Sequence, residues 1–194
     1  MSKWTVKGLL ASTSKFKSWR ERGYSSSKSR HIVKVIPYVG TNMFVCQQEH
    51  FGMTVNAHHM INLAFYDMEV TAEEMPLDFF MVVSYKGKNW YIEKPDLSKS
   101  HFRCRCTCPD FYFRFAYWNW KQGAIFGPKP RQYVRKTRTR APVNPNGIPG
   151  FCKHIHNALL LMQSNQWVNF KHTPWYTVYP DWDKKREELI GYEG

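Results

Sequence analysis

The chain has 194 residues, of which 43% are hydrophobic and 22% are charged, proportions that are ordinary for a globular protein. This composition excludes a wholly disordered chain, a collagen and a coiled coil, and no apolar run is long enough for a transmembrane helix or a signal peptide. The formal net charge is +13, and the segments 1–36 and 121–140 carry it. Local positive charge of this kind is typical of proteins that bind DNA, RNA or the acidic surface of a protein partner.

The first 30 residues are basic and rich in serine, so we expect them to form an N-terminal arm. Residues 31–166 predict one α+β domain, and residues 167–194 predict an aromatic C-terminal tail. Within the domain, β-prone runs on either side of the turn 40–42 indicate a hairpin. A second hairpin is predicted from residues 79–85 and 90–92 around a glycine-containing turn, while 52–70 fits either a helix or a strand.

Residues 101–108 alternate strictly, which predicts a strand with Cys104, Cys106 and Cys108 on one face, ended by Pro109. Seven aromatic residues follow within 111–120; they could stack nucleic-acid bases, but a packed core is the stronger expectation. Residues 124–151 are rich in Pro, Gly, Arg and Lys and predict a long loop. The segment 152–163 has apolar residues at helical spacing and predicts an amphipathic helix.

The cysteines point to a metal site rather than to disulfides. Their number is odd, and three of them alternate ahead of a C-x-H pair, where thiolates and imidazole are the ligands of structural zinc. Residues four apart on a strand lie about 13 Å apart at Cα, so Cys104 and Cys108 should not share one ion on a straight strand. The first pair is therefore Cys104 with Cys106, or Cys106 with Cys108.

The second pair of ligands begins at Cys152. On a helix, Cys152 and His156 share a face, whereas Cys152 and His154 converge where a turn enters the first helical turn. We interpret Cys46 as a core residue and expect His58, His59 and His156 to be surface or core histidines rather than metal ligands. The sequence lacks the H-x-E with P-C-x-x-C and H-E-x-x-H patterns of catalytic zinc enzymes, so we predict a structural site and no enzyme.

The motif 106–111, Cys-Thr-Cys-Pro-Asp-Phe, followed by Cys-Lys-His-Ile at 152–155, resembles the SWIM-type zinc finger with its pattern C-x-C…C-x-H. The likeness covers about residues 79–163, with a spacer of 43 residues that is longer than usual and with Cys104 as an extra thiol. It implies one structural Zn²⁺ per chain. The ligands that the resemblance assigns are Cys106, Cys108, Cys152 and His154. Members of the family are associated with binding DNA or protein.

The loop between the two halves of this site carries the densest positive charge. Six of the twelve residues from 129 to 140 are basic, and the metal site is expected to anchor the loop at both ends. Such a loop binds phosphates or an acidic groove on a protein, and the sequence leaves both open. The predicted binding residues are Lys129, Arg131, Arg135, Lys136, Arg138 and Arg140.

The chain also resembles, more loosely, small C-x-C…C-K-H structural proteins of tailed bacteriophages, through the same cysteines and the segment 144–150. This second likeness implies a non-enzymatic virion component of the neck, tail or baseplate, assembled in the host cytoplasm. Its expected partners are other virion proteins, which its basic and aromatic segments would bind, with DNA as a further partner and no membrane. The alternative is a SWIM-type nucleic-acid-binding protein.

Overall fold

A computed structural model gives the fold, and it describes residues 3–16, 31–51, 58–135, 139 and 141–168. Several predictions lie outside these residues. They concern segment 17–30 of the expected N-terminal arm, most of the C-terminal tail, and the basic residues Lys136, Arg138 and Arg140.

The described chain contains three helices and seven strands, so the predicted α+β class is confirmed. Residues 109–121 are one continuous helix, α2, whose middle turn, Tyr112–Ala116, is π-helical between α-helical ends Pro109–Phe111 and Tyr117–Lys121. The other elements are α1 (Val6–Thr13), β1 (His31–Tyr38), β2 (Met43–Phe51), β3 (His58–Tyr66), β4 (Val70–Thr71), β5 (Phe80–Tyr85), β6 (Lys88–Glu93), β7 (His101–Cys106) and α3 (Lys153–Ser164).

Four strands form an antiparallel sheet in the order β1-β2-β3-β7. The first predicted hairpin is β1–β2, and the ambiguous segment 52–70 supplies β3, which pairs with β2 from Met43↔Tyr66 to Phe51↔His58. The strand β7 pairs with β3 on one edge, and on its other edge a short parallel bridge joins Cys104 to Ile125. The cysteine-bearing strand is therefore hydrogen-bonded on both sides.

The second sheet is small and has the order β4-β6-β5. Its β5–β6 hairpin is the second predicted one, with a turn of only two residues. Lys86 and Gly87 both have positive φ, +52° and +73°, which is the backbone of the turns that match the twist of paired strands. The sheet contacts the β1 edge of the larger sheet through β5.

The core lies on one face of the four-stranded sheet. Alternate residues of β2, β3 and β7 point to this face, and α3 packs over it with Ile155, Ala158, Leu159 and Met162 fully buried. The aromatic residues of α2 divide between core and surface. Phe111 and Phe115 are buried, as the core interpretation expects, whereas Tyr112 and Phe113 are exposed.

Part of the expected N-terminal arm belongs to this core. Val6, Leu9 and Leu10 of α1 are buried, and Thr5 caps the helix by accepting a hydrogen bond from the Gly8 N–H. The Thr13 hydroxyl accepts a hydrogen bond from the Phe151 N–H at 3.1 Å. Residues 3–16 thus pack as a helix against the chain just before α3, because the apolar side of this short basic segment covers the core.

Candidate metal centre

Strand β7 and the start of α2 position the first two candidate ligands. Cys106 is the last residue of β7, on its core face, and Cys108 is the N-cap of α2. The Cys108 sulfur accepts a hydrogen bond from the Phe111 N–H at 3.3 Å, and the Cys106 sulfur accepts one from the Cys108 N–H at 3.4 Å. The chain turns between the two cysteines, and this turn lets their sulfur atoms face the same point.

The start of α3 positions the other two. Cys152 is the N-cap of α3, and His154 lies in the first turn of that helix. The pair Cys152 and His154 is one of the two pairs that the sequence left open, the other being Cys152 and His156. Both side chains converge because the helix begins between them, not because they share a helical face. A thiolate at this end of a helix is also stabilised by the helix dipole.

Two buried asparagines hold the segment that leads into α3. Asn119 of α2 donates to the Gly150 carbonyl and accepts from the Gly150 N–H, each at 2.8 Å. Asn144 donates to the Arg114 carbonyl at 2.8 Å and accepts from the Ile148 N–H at 3.0 Å. These bonds return the chain to α2 within the 43-residue spacer between Cys108 and Cys152, and so bring Cys152 beside Cys106.

The four candidate ligand atoms form one compact cluster. The sulfur atoms of Cys106, Cys108 and Cys152 and a ring nitrogen of His154 all lie within 4.8 Å of one another. His154 Nδ1 is 4.0 Å from both Cys106 Sγ and Cys152 Sγ. Ligands of a tetrahedral zinc ion lie roughly 3.5–4 Å apart, so the cluster has the size of a single-ion site. All four residues are buried, and the cluster could hold a metal ion.

The pKa values of the three thiols show why the cluster suits a cation. Hydrogen bonds from Cys106 and Cys152 lower the pKa of Cys108 far below its usual range. The hydrogen bond to Cys108 raises the pKa of Cys106, and burial raises that of Cys152. One thiolate thus suppresses the ionisation of its two neighbours, and a divalent cation supplies the positive charge that three adjacent thiolates need.

Two histidines that sequence reasoning did not assign to the site flank His154. The ring centroids of His50 and His59 lie 4.6 Å and 4.7 Å from that of His154. These residues are cross-strand partners on β2 and β3, on the core face of the sheet. Burial, followed by the nearby His154, lowers the pKa of His59. The alternation of buried and exposed residues along β2 and β3 could have placed His50 and His59 on the core face. The segment that forms β3 fitted either a helix or a strand in the sequence, so this placement was not predicted.

The remaining cysteines and histidines lie outside the cluster. Cys104 lies two residues before Cys106 on β7 and faces the core, where its sulfur accepts a hydrogen bond from Asn119 Nδ2 at 3.8 Å. Burial raises the pKa of the Cys104 thiol. Cys46 is buried, as predicted, and burial raises its pKa to about 12. His156 is buried against Phe151, with ring centroids 6.3 Å apart, and His58 is exposed and pairs with Glu49.

The described part of the predicted basic loop starts at a fixed point. Arg105 of β7 donates to the Phe126 carbonyl at 2.5 Å and to the Pro128 carbonyl. Lys129 and Arg131, which follow, are exposed, and the Lys129 ammonium lies 4.2 Å from the centre of the Trp120 ring. Arg135 is half-buried.

No protein-family model, no curated protein and no solved structure matches this chain. The resemblance to the SWIM-type zinc finger therefore stays a prediction from the cysteine and histidine motif. Among the described residues, no helix is long and apolar enough to cross a membrane.

Proposed function

We propose that Cys106, Cys108, Cys152 and His154 bind one structural zinc ion. The observation that carries this proposal is the convergence of three sulfurs and one imidazole nitrogen within 4.8 Å in a buried cluster. Thiolate and imidazole donors favour zinc, and four protein ligands fill its tetrahedral coordination without leaving a position for substrate. The ion would join the end of β7 to the start of α3.

Metal analysis tests this proposal directly. Protein purified without added metal should contain about one zinc per chain, and cobalt substituted at the site should show the absorption of a tetrahedral thiolate complex. A Cys106→Ser variant should lose the metal, whereas Cys104→Ser should retain it. Metal-free protein that is fully folded, or metal that is retained by Cys106→Ser, would contradict the proposal.

We further propose that the protein is a non-enzymatic structural component of a large assembly, a tailed-phage virion, that binds neighbouring subunits. A closed metal site gives mechanical stability to the fold rather than chemistry, since its ligands leave no open position. The metal would also hold together the two chain segments between which the basic loop runs, at Cys108 and Cys152. Pre-anchoring of this kind lowers the entropy lost when a loop binds a partner.

Purified phage particles, prepared from the host in which the protein is produced, provide the test of this assembly role. The protein should be found by mass spectrometry in intact particles at a constant copy number and should remain with them through a density gradient. Its absence from particles, combined with its presence in the free protein fraction of the host, would refute the role.

A nucleic-acid-binding function is the second candidate, and the charge of one part of the chain favours it. Residues 111–180 contain ten Lys or Arg and no Asp or Glu. The described part of this segment also exposes Tyr112, Phe113 and Tyr133, and exposed rings can stack on unpaired bases. Binding to an oligonucleotide that weakens steeply with salt, by a protein that does not join particles, would support this candidate instead.

A further inference from the structure

Positive and negative charges are separated on this protein. Segment 66–96 contains seven Asp or Glu and three Lys, whereas segment 111–180 contains ten Lys or Arg and no acid. Five of the seven acidic side chains of this segment, which builds the small sheet, are exposed. Asp67 pairs with His101 of β7 at 2.5 Å and is not counted here. We call the surface formed by the other exposed acids of the segment the acidic surface; these acids are Glu69, Glu73, Glu74 and Asp78.

The opposite charge is concentrated around α2 and the first part of the basic loop. Lys121, Lys129 and Arg131 are exposed there, and the exposed rings of Phe113 and Tyr133 contact each other with centroids 4.6 Å apart. We call the surface formed by these five residues the cationic surface. Segment 111–180 contains no Asp or Glu, and the one acid of α2 that precedes it, Asp110, pairs with Arg114 at 3.1 Å.

The two surfaces belong to opposite edges of the four-stranded sheet. The small sheet, with the acidic surface, contacts the larger sheet at β1, which is one edge strand. The chain that carries the cationic surface runs along β7, the other edge, where Ile125 bridges Cys104 and Arg105 holds residues 126–128. Three strand spacings separate these edges, about 14 Å, which exceeds the screening length of about 8 Å at physiological salt, so exposed charges at the two edges interact weakly within one molecule.

Both surfaces also expose apolar side chains. Leu77, Phe79 and Val82 are 61%, 52% and 45% exposed beside the acids, and Phe113 and Tyr133 are 44% and 43% exposed beside the cations. Large exposed apolar side chains surrounded by polar ones are typical of protein interfaces, in which aromatic residues are enriched. The two surfaces are therefore complementary in charge and alike in apolar content.

We propose that the partner of the cationic surface is a second copy of this chain, which docks through its acidic surface. Because the two surfaces differ and lie at different edges of the molecule, each copy has one of each to offer to its neighbours. Such a head-to-tail contact repeats from copy to copy and produces a ring if it closes or a filament if it does not. The inference rests on the proposed assembly role and names the neighbouring subunit.

Neutralising one surface at a time tests this inference on the full-length, zinc-loaded protein. The first variant removes acids, with Glu73→Gln and Glu74→Gln, and the second removes cations, with Lys129→Gln and Arg131→Gln. Mass photometry and sedimentation velocity should show oligomers of the unaltered protein at low salt and their loss near 1 M NaCl, where screening reaches about 3 Å. Each variant should assemble only at a concentration higher by roughly tenfold, the effect of losing a few exposed ion pairs.

Mixing the two variants gives the decisive result. Each retains one intact surface, so a head-to-tail contact predicts 1:1 dimers that do not grow further, and two identical surfaces in contact could not produce this outcome. A matched control, Lys7→Gln with Lys15→Gln, removes the same charge from exposed lysines of the N-terminal segment, outside both surfaces, and should assemble normally.

Three outcomes would overturn the inference. The first is unaltered protein that stays monomeric at low salt up to high concentration. The second is a mixture of the two variants that forms no dimer. The third is a cationic-surface variant that loses oligonucleotide binding while its self-association is unchanged. Zinc content and presence in particles are measured separately, so a zinc-loaded monomer found in particles would refute this inference and leave the proposed assembly role intact.

Discussion

Cys106 and Cys104 provide a matched pair for testing the metal centre, because they lie two residues apart on the same face of β7. Their side chains are 4% and 0% exposed, so serine at either position buries a hydroxyl in a similar environment. Only Cys106 belongs to the cluster with Cys108, Cys152 and His154. The difference between the two variants therefore reports the loss of a ligand.

The expected magnitudes differ for a physical reason. At Cys104 the new hydroxyl keeps a donor nearby, the Asn119 amide, and the cost of burying it is about 1–2 kcal/mol. Cys106→Ser removes one of four ligands. If this loss weakens zinc binding about 1,000-fold, the free energy of unfolding falls by about 4 kcal/mol. At about 2–4 °C per kcal/mol for a domain of this size, the melting temperature should fall by about 2–8 °C and 8–16 °C respectively.

Thermal melts with and without a strong chelator are the assay. The unaltered protein and Cys104→Ser should both lose a large part of their stability when the chelator is added, whereas Cys106→Ser should hardly respond. A Cys104→Ser protein that ignores the chelator while Cys106→Ser still responds would show that Cys104 is the ligand. Equal responses of all three proteins would show that metal does not stabilise the fold.

Three further predictions concern the cluster and the segments around it. Zinc affinity should fall as the pH is lowered, because protons compete for thiolates, and competition with a metal indicator should show a loss of at least about tenfold per pH unit in acid. Gly147→Ala should destabilise the protein by about 2–3 kcal/mol in urea unfolding, because φ is +62° and a Cβ would lie 2.7 Å from the Trp118 ring. The control Gly40→Ala, also at positive φ but with nothing within 4 Å of the added Cβ, should cost about 1 kcal/mol. Equal costs of the two substitutions would contradict the predicted clash. Arg105→Gln should release the start of the basic loop, so that trypsin cleaves at residues 129–140 several-fold faster. The same substitution should lower the stability of the fold by about 1–2 kcal/mol. An unchanged cleavage rate would show that Arg105 does not hold the loop.

The sequence by itself determined the local elements that have strong patterns. Both hairpins, the strand with alternating cysteines as far as Cys106 and the helix from Lys153 were predictable, because alternation, turn residues and helical spacing are properties of neighbouring residues. The prediction that the strand continues to Cys108 was wrong, because the chain turns after Cys106 and Cys108 caps α2. The number and types of the candidate ligands were also readable, since donor chemistry depends on residue type. Residues 58–66 were not assignable, because a short apolar run fits a buried strand or a helix equally well.

Only the tertiary structure decided which of these residues meet. The sequence left two pairs open on β7 and two at the start of α3, and the choice depends on a turn after Cys106 and on the asparagine contacts that return the chain to α2. The flanking positions of His50 and His59, the burial of α1 and the division of the aromatic run into buried and exposed rings have the same origin. Each depends on contacts between residues far apart in the chain, whose geometry no local pattern encodes.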